Sequence, residues 1–567
     1  MPKKVSHIIE WEKNAENAQK LANCYNKWDD DDSWPGGFNQ GIKFTTEGIL
    51  ERPIAPLIAY VAAHEDEFVG YIDVYRHRED KEALYVGLLG VSPKFQGQGY
   101  GRDLLKKATG FATRSPGISY LALGTWAGNT KSVPTYKKTG YKWVPGSDNV
   151  ILENFLPLIL TYVPFSEFFA ANDYYAAMNM EIKQQPDIER FENMNVFIYS
   201  FENDGGEKIT AIIDRYSKNI TGFTVGEQNG EIGVWCLLSS HEGFAGYGKT
   251  TVTWRFKNTS QFPLSVNLSA RGRGGVILEP IEDLDLVIPA GKMVEKAVEI
   301  SLESDINVRK IEQEDNPKAE TLIISDIRIN ETACQLKTAQ LPLKPFKIAS
   351  FPEILTVIDN ILSEHELQLT NMTSESLELQ IRIPPIQGFK IDLLCPEIVI
   401  LEPNSSTSLK LRMQATSDLG IGILRVPIQL NLTKSRIAQG QIFQEQIRVF
   451  HSRNYQAHGY CNSEEPTSDP LFLQNSFLRV NFSNKPPYDI RRFDNLMSGH
   501  FTASFGPYMD LGPPYEGFLN EWQKPEKKYE LEMKEDPSKA SFFIRADSSR
   551  FPIRLEREIT MYAGLPG

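Results

Sequence analysis

Cysteine is scarce in this chain: five residues (Cys24, Cys236, Cys334, Cys395 and Cys461) among 567, scattered and never spaced as C-x-x-C. That pattern excludes a disulfide framework or a zinc ribbon, and reduced, mostly buried thiols are expected. Basic residues are in deficit, 60 Lys and Arg against 73 Asp and Glu, for a formal net charge of -13. Such a chain has no general basic surface with which to displace counterions from a phosphate backbone, so no nucleic acid partner is expected. Long apolar runs are missing too. The most apolar window, Val150 to Phe165, is broken by Glu153, Asn154, Pro157 and Pro164, short of the ~18 clean residues that a spanning helix needs. Met1-Pro2-Lys3-Lys4 is not followed by the apolar core of a signal peptide, so the expectation is a cytoplasmic protein with no membrane partner. His241, His365, His451, His458 and His500 show neither H-x-x-x-H nor H-E-x-x-H spacing, and no metal site is expected.

What is present is enough for several domains, since one usually takes roughly 100–200 residues. Up to about residue 160 helix and strand patterns mix: Glu10 to Tyr25 reads as a polar helix, and Leu57–Ala63 and Phe68–Tyr75 read as strands around the turn His64-Glu65-Asp66-Glu67. From about 205 onward nearly every segment alternates apolar and polar residues between Asn, Ser, Gly and Pro, as stacked antiparallel sandwiches do. A weak repeat supports tandem immunoglobulin-like modules. Asn258-Thr259-Ser260 is followed 31 positions later by Pro289-Ala290-Gly291, and Asn371-Met372-Thr373 by Pro403-Asn404-Ser405 at 32. The expected division is an α/β domain over 1–160, a connecting segment over 161–204, and β-sandwiches over 205–345 and 346–446. A third β-sandwich-like domain over 447–567 has a last strand, Ile553–Tyr562, with little left to pair with, and reads as truncated.

The most informative stretch runs from Ala83 to Arg102. A buried strand ends at Val91, a turn follows, and Gly99 and Gly101 open a segment with apolar residues at Leu104, Leu105, Ala108, Phe111 and Ala112, which is helical spacing. Unpaired N–H groups at a helix start, approached closely past glycines, attract a pyrophosphate. Gln96-Gly97-Gln98-Gly99-Tyr100-Gly101 resembles the Q/R-x-x-G-x-G/A signature of the GNAT acetyltransferase superfamily. Downstream of a strand at Ser119–Thr125, Asn129, Tyr136, Gly140 and Tyr141 are similar to the same family's second motif. The resemblance covers roughly residues 1–160.

The resemblance implies acetyl-CoA, or a near acyl-CoA, as donor. It implies backbone near Leu89 and Val91 free for the pantetheine arm, a loop from Gln96 through Gly97, Gln98, Gly99 and Tyr100 to Gly101 for the pyrophosphate, Asn129 as a CoA contact, and Tyr136 as proton donor to the leaving thiolate. A tyrosine hydroxyl, ordinarily titrating near 10, keeps its proton at neutral pH. Pro134 departs from the family pattern and is tolerable only in a first helical turn. The central strand carries no carboxylate in its middle. Glu82, just before it, is taken as the catalytic carboxylate, with Asp73, His77 or a water relay as alternatives. Asp29-Asp30-Asp31-Asp32, between Trp28 and Trp34, reads either as a solvated loop or as a cradle for a cationic amine.

Gly243-Phe244-Ala245-Gly246-Tyr247-Gly248-Lys249-Thr250 matches the nucleotide-triphosphate loop letter for letter. The following Thr251–Phe256 alternates like a strand, so nucleotide binding is not expected there. The sequence thus reads as an N-acetyltransferase acting by direct attack of a small-molecule or protein amine, an amino sugar among the candidates, with β-sandwiches that recognise acceptor or partner. The rivals are a CoA-binding scaffold without turnover and a carbohydrate-binding protein whose main chemistry lies in the β region, where Pro513-Pro514-Tyr515 and Asn520-Glu521-Trp522 carry sugar-stacking rings.

Overall fold

The computed structural model describes residues 7–28, 43–52, 54–126, 128–146, 150–179, 181–182, 185–227, 230–304, 306, 308, 316–350, 354–416, 419–420, 422–434, 441–452, 457–461, 471–475, 477–482, 490–495, 500–504, 530–536, 538–547 and 554–563. They fall into two units, 1–343 and 344–567.

The first unit opens with strand β1 (His7–Glu10), and α1 (Ala15–Asn26) starts where the Asn14 side chain accepts the Asn17 N–H at 2.8 Å. The helix expected from Glu10 begins late because Glu10 still pairs with Tyr60 at the sheet edge. Then come α2 (Thr46–Leu50), β2 (Ile58–His64), β3 (Glu67–Arg76), β4 (Ala83–Val91), α3 (Tyr100–Arg114), β5 (Tyr120–Thr125), α4 (Val133–Lys138), β6 (Lys142–Trp143) and β7 (Val150–Asn154). These strands form one sheet in the order β1-β2-β3-β4-β5-β7-β6. Every neighbouring pair is antiparallel except β4 and β5. Residues spaced for one face of α1, Ala18, Leu21, Ala22 and Tyr25, bury against Val61 and Tyr71. Leu104, Leu105, Ala108 and Ala112 of α3 bury with Ile72, Val74 and Leu121 in a second cluster. The sheet is therefore covered on both faces, as an α/β domain requires.

The segment 161–204 does more than connect. Its strand Met194–Glu202 pairs with Lys208–Asp214 and lies in a nine-stranded sheet. The polar, glycine-rich run Asn203–Gly206, which looks like a linker, closes a hairpin: Glu207 donates its N–H to the Asn203 side chain at 3.0 Å. One apolar cluster runs from Tyr120 and Phe155 of the α/β domain through Phe165 to Phe197 and Phe223 of the sheet. Across the same junction Lys137 meets Asp187 at 2.9 Å, Lys142 meets Glu189 at 2.8 Å, and Lys218 pairs with Glu153. A four-stranded sheet faces the nine-stranded one through that cluster.

In the second unit a four-stranded and a five-stranded sheet are followed by a five-stranded and a three-stranded sheet. The last pair packs Leu473 and Phe482 against Phe542 and Met561. The strand Arg554–Tyr562, which looks partnerless in sequence, pairs along its whole length with Lys539–Asp547.

Candidate active site

Strands β4 and β5 run together from Ala83 beside Tyr120 to Val86 beside Leu123, and there they part. β5 continues against β7 to Thr125, and β4 continues against β3 to Val91. The cause lies in a bulge: the β3–β4 register shifts between Asp73 and Val74, leaving Gly87 as the extra residue. Beyond it, among the described residues, β4 has a neighbouring strand on one side only, and Leu88 to Val91 are half-buried where Ala83, Leu84 and Val86 are buried. Ser92 donates to the Val69 carbonyl at 2.8 Å. Antiparallel alternation then turns Gly90 toward β3, and Leu89 and Val91 toward the gap. Val91 is only partly free, because its carbonyl accepts the Gln96 Nε2 at 3.2 Å.

After β4 a short 3-10 turn, Pro93–Phe95, leads to Gly97 at φ 74° and Gly99 at φ 93°, the latter capping α3. Only glycine adopts that left-handed backbone without strain. Gln96 donates its N–H to the Pro93 carbonyl at 3.2 Å, and Asp103 donates to Gly99 at 3.0 Å. Among the described residues, the backbone N–H groups of Gly97, Gln98, Gly99, Tyr100, Gly101 and Arg102 have no acceptor. The cradle is thus shifted one residue from the expected one. Gln96 is outside it as a backbone donor, and Arg102 is inside. The Gln98 side chain donates to the Lys94 carbonyl at 3.3 Å, and the buried Tyr100 ring serves the core, its hydroxyl 3.2 Å from His64 Nδ1. A Cβ on Gly101 would lie 3.7 Å from Val91, an ordinary contact that suits the G/A alternative of the motif.

Pro134 occupies the first turn of α4, so the helix starts late enough to accept it. Tyr136 is buried, and burial pushes its hydroxyl up to about 12, with Ser132 pulling it down and the nearby Tyr85 adding to the rise. It therefore keeps its proton at neutral pH. Asn129 shapes the turn into α4: its amide donates to Thr125 Oγ1 at 2.9 Å and its carbonyl accepts the Ser132 N–H at 3.2 Å.

Glu82 is not brought to this site. It precedes β4 at the end away from the gap, about 17 Å from Gly87 at ~3.3 Å per residue, and pairs at 2.8 Å with Lys318, which also holds Asp80. His77 is unsuited as a base. Its Nδ1 accepts the N–H groups of Glu79 and Asp80 at 3.3 and 3.1 Å, so the proton of the neutral ring sits on Nε2 and no lone pair is left. Asp73, by contrast, is a buried carboxylate at the bulge. Its Oδ1 accepts the Leu88 N–H at 2.7 Å, and its Oδ2 accepts the hydroxyls of Tyr71 and Tyr75 at 3.1 and 3.0 Å. Burial raises it above the ordinary carboxylate value, and these hydrogen bonds only partly offset that. Trp28, expected beside an acceptor loop, is instead a core ring beneath β4 at Gly90, where a Cβ would come within 2.3 Å. Asp29–Asp32 and Trp34, and the aromatic residues at 513–522, lie outside the described residues. Lys249 and Thr250 lead into the strand Thr250–Asn258 rather than a helix.

Two diverging parallel strands, a bulge where the first of them pairs with β3 and a row of unpaired amides at a helix start define an acyl-transfer type of α/β domain. Residues 22–141 match the acetyltransferase (GNAT) family, and the N-terminal domain is a GNAT domain. The chain is similar to the ribosomal-protein-S18-alanine N-acetyltransferase from Escherichia coli at 13% identity, covering 26% of this chain and 93% of that one with a TM-score of 0.20. An acetyltransferase from Thermus thermophilus shows 19% identity, 26% and 94% coverage and a TM-score of 0.22. A GNAT-family acetyltransferase from Streptococcus pneumoniae shows 16% identity, 26% and 98% coverage and a TM-score of 0.23. Among curated proteins, none matches the chain. Among the described residues no helix is long and apolar enough to cross a membrane.

Proposed function

We propose that the chain is an N-acetyltransferase that moves an acetyl group from acetyl-CoA to an amine by direct attack. The observation that carries this reading is the parting of β4 from β5 beside the unpaired amides of Gly97–Arg102. In it those amides hold the donor's pyrophosphate, and the Leu89 and Val91 backbone holds the pantetheine arm. The amine lone pair attacks the thioester carbonyl, whose oxygen takes up the charge as backbone N–H donates to it. When the carbon–sulfur bond breaks, the sulfur takes a proton from Tyr136. The attacking nitrogen loses its proton through the Tyr75 hydroxyl to Asp73, whose raised affinity for a proton suits the task.

The β modules then serve acceptor or partner recognition. The tight packing of Tyr136 favours one rival, a scaffold that binds CoA without turnover. Thiol release from acetyl-CoA against an amine panel decides between them. Turnover that falls at least tenfold in Tyr136→Phe, with acetyl-CoA affinity kept, supports catalysis, and binding without thiol release supports the scaffold.

A further inference from the structure

A cleft of about 840 Å³ opens on the bulge, lined by Ile54, Ala55 and Leu57 before β2, Tyr75 to Glu79 at the end of β3, and Tyr85 and Gly87 of β4. Its volume lies in the range of small-molecule sites. At Gly87, a Cβ would come within 2.6 Å of the Tyr75 ring and 2.9 Å of Asp73 Oδ1, so the missing side chain leaves room beside Tyr75, which lines the cleft and donates its hydroxyl to the buried Asp73 behind it. The middle is apolar: Ile54 is 63% and Leu57 44% exposed. At the outer end stand Arg76 and Arg78, both exposed.

These arginines differ from some others on the surface, and they share the lack of an ion pair among the described residues with the exposed Arg114, Arg190, Arg273 and Arg328. Arg255, Arg271, Arg412 and Arg545 are each held by a carboxylate. Arg76 and Arg78 make no ion pair among the described residues, although the chain carries a formal net charge of -13. Glu79 answers one of the two positive charges at the rim, so the rim keeps an excess of positive charge. Arg76 pairs in register with Leu84, three residues before Gly87, which sets the two ends of the cleft on the order of 10 Å apart at strand spacing.

We infer that the acceptor is an amine with an apolar body and a carboxylate at its far end, the carboxylate held by Arg76 and Arg78 and the amine delivered to Tyr75 and Asp73 at the bulge. The inference rests on the acyltransferase reading and names the substrate class of that site. Guanidinium groups recognise carboxylates through paired N–H donors, and in a partly desolvated cleft such a contact discriminates strongly against a second cation. A polyamine or an amino sugar with several amines would instead meet like charge.

Three chain-matched probes test it: 6-aminohexanoate, 1,6-diaminohexane and hexylamine, each with acetyl-CoA. The expected result is a kcat/KM for 6-aminohexanoate at least tenfold above that for the diamine, and a fall of at least tenfold in that ratio in Arg76→Glu/Arg78→Glu. A preference for the diamine, or a ratio untouched by the double charge reversal, overturns the inference. Hexanoate, which has no nucleophile, separates this from the acyltransferase reading. Calorimetric titration should show it binding the wild type and losing at least tenfold in affinity in the double variant. If no amine is acylated while hexanoate behaves so, the transferase reading fails and the carboxylate site stands; if hexanoate binds both proteins equally or neither, the carboxylate site falls.

Discussion

Asp73 on β3 accepts the Leu88 N–H at 2.7 Å across the bulge in β4, a side chain taking the place of a ladder carbonyl. The bulge and the buried carboxylate therefore form one device. Asp73→Asn keeps an acceptor for Leu88 but removes the proton sink. We expect kcat to fall at least tenfold with acetyl-CoA affinity unchanged, and the rise of wild-type rate with pH through the Asp73 value to disappear from the variant's profile.

The same residue sets a pH-dependent stability. Burial raises Asp73 above its ordinary 3.8, so the folded protein holds this proton more tightly than the unfolded chain. Stability from this group is therefore full below 3.8 and declines as pH rises through the raised value. The thermal midpoint of Asp73→Asn should accordingly gain on wild type from acid to neutral pH. A gap that is constant or narrows with pH counts against the assignment.

Glu82 and Asp80 are structural partners of Lys318. Burial opposes the Asp80 charge, but hydrogen bonds from Lys318, the Glu82 N–H and Tyr120 outweigh it and hold the carboxyl below the ordinary 3.8. Their contribution is present above 3.8 and lost as pH falls through the lowered value. Because the Glu82 carboxylate is 42% exposed, Glu82→Gln should cost no more than about 1 kcal/mol in urea unfolding. Turnover should be within twofold of wild type.

Gly90 lies over Trp28 so closely that an alanine methyl would sit 2.3 Å from the ring. Gly90→Ala should destabilise by roughly 1–3 kcal/mol, as overpacking of a buried ring does, while Gly101→Ala, with 3.7 Å to Val91, should unfold within about 0.5 kcal/mol of wild type. Urea midpoints of the two variants check both.

The GNAT fold was legible because its parts are local in sequence. The strand, the positive-φ glycines and the apolar face of α3 lie within Ala83–Arg114, where periodicity and glycine spacing speak directly. The repeat was legible for a related reason. Asn258 donates to the carbonyls of Phe262 and Ile288, and Asn371 to those of Glu375 and Leu401, each stapling the two sheets of its module from the same position. Asp73 was not legible as the buried carboxylate at the bulge, because its burial depends on Tyr71, Tyr75 and a bulge on the next strand. Glu82 looked suitable by sequence distance to β4, but strand geometry carries it to the wrong end. The role of 161–204 was hidden because Asn203–Gly206 has the composition of a linker and the geometry of a hairpin.

The central claim is that the amides of Gly97–Arg102 await an anionic ligand. Hydrogen exchange with and without coenzyme A reads them directly. The account predicts slowed exchange at Gly97–Arg102 and at Leu89 and Val91, absent from Gly99→Asp, in which a carboxylate stands where the pyrophosphate binds. Exchange in that loop unchanged by saturating coenzyme A would contradict it.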